Sequence, residues 1–102
     1  MNIERADIRH KILELCAEDD YGSWELWWAI KDKAQGTVAD IRQEFTAIIE
    51  ELVNERALIV KTRGANHNFL NAPFSRERLQ TELKSASRPD PDSFYWFGAA
   101  AL

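Results

Sequence analysis

Apolar residues recur with the period of a helix over the first half of the chain and then switch to the period of a strand. Ile8, Ile12 and Leu15 stand at i, i+4 and i+7 with Leu13 and Cys16 beside them, so residues 4–18 read as an amphipathic helix. Asp19-Asp20-Tyr21-Gly22 breaks this pattern, and Ser23 offers a hydroxyl oxygen to cap a second helix over 24–31. On that helix Trp24, Trp27 and Trp28 share one sector while Leu26 and Ile30 extend the arc to the other side. The arc is broader than one core face requires. Either all three tryptophans fill the core, or the Trp24/Trp28 side covers a partner or the chain's own tail. Thr37 and Asp40 then have the spacing of a capping box, with Asp in place of the usual Glu. Val38, Ile41, Phe45, Ile48, Ile49, Leu52 and Val53 form a single stripe over a third, long helix ending near 54–56.

From Leu58 the alternation has a period of two, with Leu58, Val60 and Thr62 on one side and Ile59, Lys61 and Arg63 on the other. Gly64, Ala65 and Asn66 suit a tight turn, and a return strand is expected over 67–71. Pro73 stops it, and Ser75 can cap a fourth helix over 76–85 that buries Leu79 and Leu83. Residues 86–93 are rich in Pro, Ser and Asp and read as a linker. Four consecutive aromatics follow, Phe94, Tyr95, Trp96 and Phe97. Each can bury about 150–250 Å², so this tail is expected to dock, onto the Trp24/Trp28 surface of its own chain or onto a second molecule.

The 102 residues, 45% of them apolar, suffice for one small core. Net charge is -4 and is divided unevenly: residues 1–58 carry -6, residues 59–88 carry +4, and the remainder -2. An acidic first half disfavours general attraction to phosphates, and only the hairpin region has a suitable sign. The single cysteine, Cys16, forms no intramolecular disulfide, and the charged opening does not resemble a secretory signal, so a cytoplasmic protein is expected. The weakly polar end, 94–102, is too short to span a bilayer.

The order helix, helix, turn, long helix, hairpin over residues 5–71 resembles the winged helix-turn-helix family. The most specific stretch is Ile48-Ile49-Glu50-Glu51-Leu52-Val53-Asn54-Glu55-Arg56-Ala57-Leu58-Ile59-Val60. It is similar to the passage from recognition helix to wing in many bacterial regulators, which usually carry Gly where Ala57 stands. The resemblance implies a mainly α chain with a small β-hairpin wing (α+β) on a three-helix core; with the fourth helix read above, the chain divides into a domain over 1–85 and a linker and aromatic tail over 86–102. It further implies a dimeric transcriptional regulator that binds duplex DNA. In that role the third helix presents Ala39, Asp40, Gln43, Thr46, Ala47 and Glu50. Gln43 meets an adenine edge, Thr46 or Ala47 a thymine methyl, and Arg42 a phosphate. Lys61, Arg63 and His67 on the wing grip the backbone, with Arg76, Arg78, Lys84 and Arg88 adding to the patch.

Asp40, Glu44, Glu50 and Glu51 lie on or beside the same helical face and oppose phosphate by about 4 kcal/mol per close pair before screening. That cost exceeds the roughly 1–3 kcal/mol of one good base contact. A second function is therefore expected as the alternative: a protein-interaction or assembly module on the same scaffold, working through Trp24, Trp28, Phe94, Tyr95, Trp96 and Phe97. Enzyme chemistry has little support. His10 and Cys16 are about 120° apart on their helix, Cys16 reads as core, and there is neither metal-ligand spacing nor a Gly-rich phosphate loop. No catalytic residue, metal or cofactor is expected.

Overall fold

The computed structural model describes residues 5–32, 36–64, 68–84 and 90–100. Four helices and a four-stranded antiparallel sheet make an α+β chain: α1 (Arg5–Glu18), β1 (Tyr21–Gly22), α2 (Ser23–Lys31), α3 (Val38–Asn54), β2 (Leu58–Arg63), β3 (Phe69–Asn71), α4 (Arg76–Leu83) and β4 (Tyr95–Ala99). The core lies where the helices meet one face of the sheet. Ile12, Leu26, Phe45, Ile49, Leu52, Leu79 and Phe97 are all buried there.

The helix boundaries follow local chemistry. Thr37 caps α3, its Oγ1 accepting the Asp40 N–H at 3.1 Å, and Ser75 caps α4 through the Arg78 N–H. Such caps satisfy amides that have no partner within the helix, worth about 1 kcal/mol each. Ser23 is not the cap of α2. Gly22 holds that position, and the Glu25 carboxylate reaches back to the Gly22 N–H at 3.0 Å. Ser23 is thereby released to donate its hydroxyl elsewhere.

At the end of α3 the Arg56 N–H donates to the Val53 carbonyl and the Ala57 N–H to the Leu52 carbonyl, while Arg56 has φ 61. This bond pair with a left-handed residue is a Schellman stop. The residue in need of glycine's conformational freedom is therefore Arg56, one position before Ala57. α4 ends at Leu83, two residues short of the expected 85. The return strand begins at Phe69 rather than 67. The remainder of the expected hairpin turn, Ala65 and Asn66, lies outside the described residues, as do His67, residue 85 at the expected end of the fourth helix, and residues 86–89 of the linker.

The aromatic tail docks by backbone pairing, not by laying its rings on the Trp24/Trp28 surface. β4 enters the sheet between β1 and β2, giving the order β1-β4-β2-β3. Tyr21 faces Phe97 on one side, and Val60 and Lys61 face Phe97 and Trp96 on the other. Because side chains alternate along a strand, Tyr95 and Phe97 join the main core. Phe94 and Trp96 pack on the opposite face of the sheet with their rings 5.4 Å apart. A continuous run of aromatics suits a strand covered on both faces.

Candidate functional site

The outward face of the sheet is a second, smaller cluster organised around Trp96. Phe69 meets the Trp96 ring edge-on at 5.2 Å, and the Arg63 guanidinium lies over the ring at 5.7 Å. The Trp96 indole N–H donates to the Pro91 carbonyl. These contacts tie the turn before β4 to the β2–β3 hairpin. Arg63 Nε donates to Asp92 at 2.6 Å, and Lys61 Nζ contacts both oxygens of Asp20 at 3.1 Å. Both wing cations expected to grip a phosphate backbone are thus engaged by carboxylates of their own chain. Asp20 and Asp92 could not be singled out beforehand, since they reach the β2–β3 hairpin only because β4 lies beside β2.

Three of the six expected nucleic-acid residues, Arg42, Gln43 and Thr46, lie on α3, and these are reduced further. Thr46 is fully buried, contrary to its expected place on the solvent face, and its hydroxyl donates to the Arg42 carbonyl at 2.8 Å. The physical reason is α4, which packs against both α3 and α2 and covers that flank. Arg42 and Gln43 remain accessible and line a cleft of about 200 Å³ with Ala39, Gln80 and Lys84. His67 lies outside the described residues. Three of the four acids beside this face, Glu44, Glu50 and Glu51, are also occupied, as is Glu55. Arg5 bonds Glu44 and Glu51, Arg9 grips Glu55 with both terminal nitrogens, and Arg76 pairs with Glu50. The Arg9 bonds hold the Glu55 carboxyl below the usual carboxylate range.

The tryptophans of α2 have separate environments. Trp27 enters the core edge-on to Phe45, whereas Trp24 and Trp28 lean together at 4.9 Å. Trp28 is 42% exposed and carries the Lys31 ammonium 3.4 Å above its ring. Among the described residues the other large apolar side chains at the surface are Val38, Phe69 and Leu70, the last 61% exposed. Phe69 and Leu70 belong to β3, the outermost strand of the sheet, whose far edge pairs with no strand among the described residues.

One buried carboxylate joins three elements. Glu82 on α4 accepts the Ser23 hydroxyl at 2.7 Å and the Tyr95 N–H at 3.0 Å through one oxygen, and Arg78 Nε at 3.1 Å through the other. Desolvation pushes its pKa up, against the opposing pull of these three donors. Tyr95 in turn donates its hydroxyl to the Pro73 carbonyl and accepts the Ser75 N–H. The tail strand is therefore fastened to both ends of α4. Sequence spacing places Glu82 beside Leu83 but carries no signal of its partners.

Burial pushes the Cys16 thiol up to about 12, so the thiolate needed for nucleophilic work is scarce at neutral pH. Among the described residues no three His, Cys, Asp or Glu side chains group closely enough to hold a metal ion, and no helix is long and apolar enough to cross a membrane. Comparison with known protein families, with characterised proteins and with solved structures gives no match.

Proposed function

We propose that the chain is a winged-helix module for protein–protein assembly whose wing is closed by its own last strand. The observation that carries this reading is the pairing of Lys61 with Asp20 and of Arg63 with Asp92. Each pair cancels a charge that would otherwise draw a polyanion, and opening either one to reach a phosphate costs the existing bond. What the surface offers instead is apolar: Leu70 and Phe69 on the sheet edge, and Trp28 under Lys31 on α2. An exposed strand edge with apolar side chains is a template for pairing with another chain, and aromatic anchors supply much of the energy of protein interfaces. A second copy of the chain is the simplest partner. The test combines a titration with random duplex DNA at about 50 and 200 mM salt with a mass determination in solution. The expected result is no salt-steep DNA binding and a species heavier than the 11.8 kDa monomer that Leu70→Asp dissociates. DNA binding that falls steeply with salt and is lost in Lys61→Ala with Arg63→Ala overturns it.

One observation favours the second reading, a duplex-DNA-binding transcriptional regulator. Arg5, Arg9 and Arg76 occupy Glu44, Glu51, Glu55 and Glu50, which lowers the electrostatic opposition to bringing α3 near phosphates. Gln43 and Ala39 remain exposed on the first turns of that helix, with Arg42 beside them. In this reading binding enters through α3 alone, so Gln43→Ala weakens it while Lys61→Ala does not.

A further inference from the structure

The cleft between α3 and α4 has the chemistry of an anion site. Two cationic side chains, Arg42 and Lys84, converge on it with the carboxamides of Gln43 and Gln80, and none of the lining residues is acidic. The Arg42 Nε–H is buried and donates to no acceptor among the described residues. That nitrogen has almost no surface of its own, so a ligand in the cleft meets other N–H groups of the guanidinium, whose planar fork suits an oxyanion. Glu50, two turns along α3 from Gln43, is held by Arg76, and Glu82 on α4 is held by Arg78. Neither of these two is left to neutralise the cleft, and Asp40, exposed beside Ala39, is not among its lining residues. The amino-terminal turn of α3 favours negative charge there and the carboxyl end of α4 opposes it, so the two helix dipoles partly offset one another and the side-chain cations decide the sign.

We propose that this cleft binds the phosphate group of a small phosphorylated molecule. Its volume, about 200 Å³, is below that of pockets for drug-sized ligands, roughly 300–1,000 Å³, and suits a phosphate with a small body attached. Two cations and two carboxamides supply more donors than one carboxylate can accept, whereas a phosphate presents three terminal oxygens. The site does not depend on the proposed assembly function. Lys84 is exposed at the cap of α4, so its charge can be removed without opening the core.

The experiment follows the backbone amide signals of Ala39, Gln43, Gln80 and Lys84 in the full chain during titration with inorganic phosphate and with glycerol phosphate. Sodium acetate and sodium chloride at matched ionic strength serve as controls. Saturable shifts with both phosphates are expected, with a rise in thermal midpoint of several degrees near saturation. Lys84→Gln and Arg42→Gln are each expected to weaken the response at least tenfold. Equal responses to chloride or acetate overturn the proposal, as does a phosphate response that survives in Lys84→Gln. Binding of duplex DNA with no response to either small phosphate also overturns it, and assigns the cations to a polynucleotide instead.

Discussion

Lys61 and Asp20 meet across a strand that separates them: β4 runs between β1 and β2, and the bridge passes over Gly98. A Cβ at Gly98 would stand 2.3 Å from Asp20 Oδ1 and 3.2 Å from Lys61 Nζ. The strand therefore needs glycine here for space. Gly22 has a parallel need on β1, where a Cβ would come within 2.2 Å of the Phe94 ring. The two obstacles differ in stiffness. Asp20 and Lys61 are chain ends that can swing toward water, while Phe94 is a fully buried ring. Gly98→Ala is expected to break the bridge and cost within about 1 kcal/mol, as befits a partly exposed ion pair. Gly22→Ala is expected to cost about 1–3 kcal/mol through overpacking. Denaturant midpoints of the two variants measure the order, and a smaller loss at Gly22 refutes it.

The Glu82 hub predicts an unusual sign of pH dependence. A carboxyl whose pKa is raised by folding binds its proton more tightly in the native state than in the unfolded chain. Its contribution is fully present below the unfolded carboxyl range of about 4.3 and is lost as pH rises through the folded value. Glu55, lowered by Arg9, acts in the opposite sense. Glu82→Gln keeps a carbonyl oxygen for Ser23 and Tyr95 while removing the titration. The stability difference between this variant and the native chain should therefore shift in favour of the variant as pH rises from about 4 to 7. A difference that stays flat across thermal melts over this range excludes the assignment.

Arg56 offers a stabilising change. With φ 61 at the Schellman stop, its Cβ is held in the left-handed region that glycine occupies without penalty. Its side chain is exposed, so little packing is lost on truncation. Arg56→Gly is expected to raise stability by about 0.5–1 kcal/mol after the greater chain entropy of glycine is subtracted. Ala57→Gly, at the position suggested by the family pattern, should not stabilise.

The helices were legible because their apolar spacing is local. Ile8 and Ile12, Leu26 and Ile30, Ile41 and Phe45, and Leu79 and Leu83 are all buried as their spacing predicts. Thr46 was misplaced because the width of the α3 stripe depends on where α4 docks, and eight residues of α4 carry no address. The tail held a usable signal: a short apolar run bounded by turn residues marks a strand buried on both faces. Its neighbours in the sheet, and with them the Lys61–Asp20 and Arg63–Asp92 pairs, follow from pairings between distant parts of the chain. The cleft was half visible. Arg42 and Gln43 were candidates on α3, but Gln80 and Lys84 join them only through helix packing.

The interior position of β4 changes the expected outcome of removing the tail. If the aromatics merely decorated a finished domain, truncation before residue 90 would leave the remainder folded and abolish only association. Here the deletion takes away the one strand that joins β1 to β2, the backbone partner of Glu82, and the buried rings of Phe94, Tyr95, Trp96 and Phe97. Truncating a single buried aromatic to Ala costs about 3–5 kcal/mol, so losing four costs about 12–20 kcal/mol, as much as or more than the roughly 5–15 kcal/mol that stabilises a domain. The shortened chain is expected to lose cooperative thermal unfolding and to show Trp27 fluorescence shifted toward that of a solvated indole. A truncated chain that melts cooperatively with native Trp27 emission overturns the integral role assigned to β4. Trp96→Phe is the milder companion: it keeps the strand and most of the ring packing but removes the bond to Pro91, with an expected cost of about 1–2 kcal/mol.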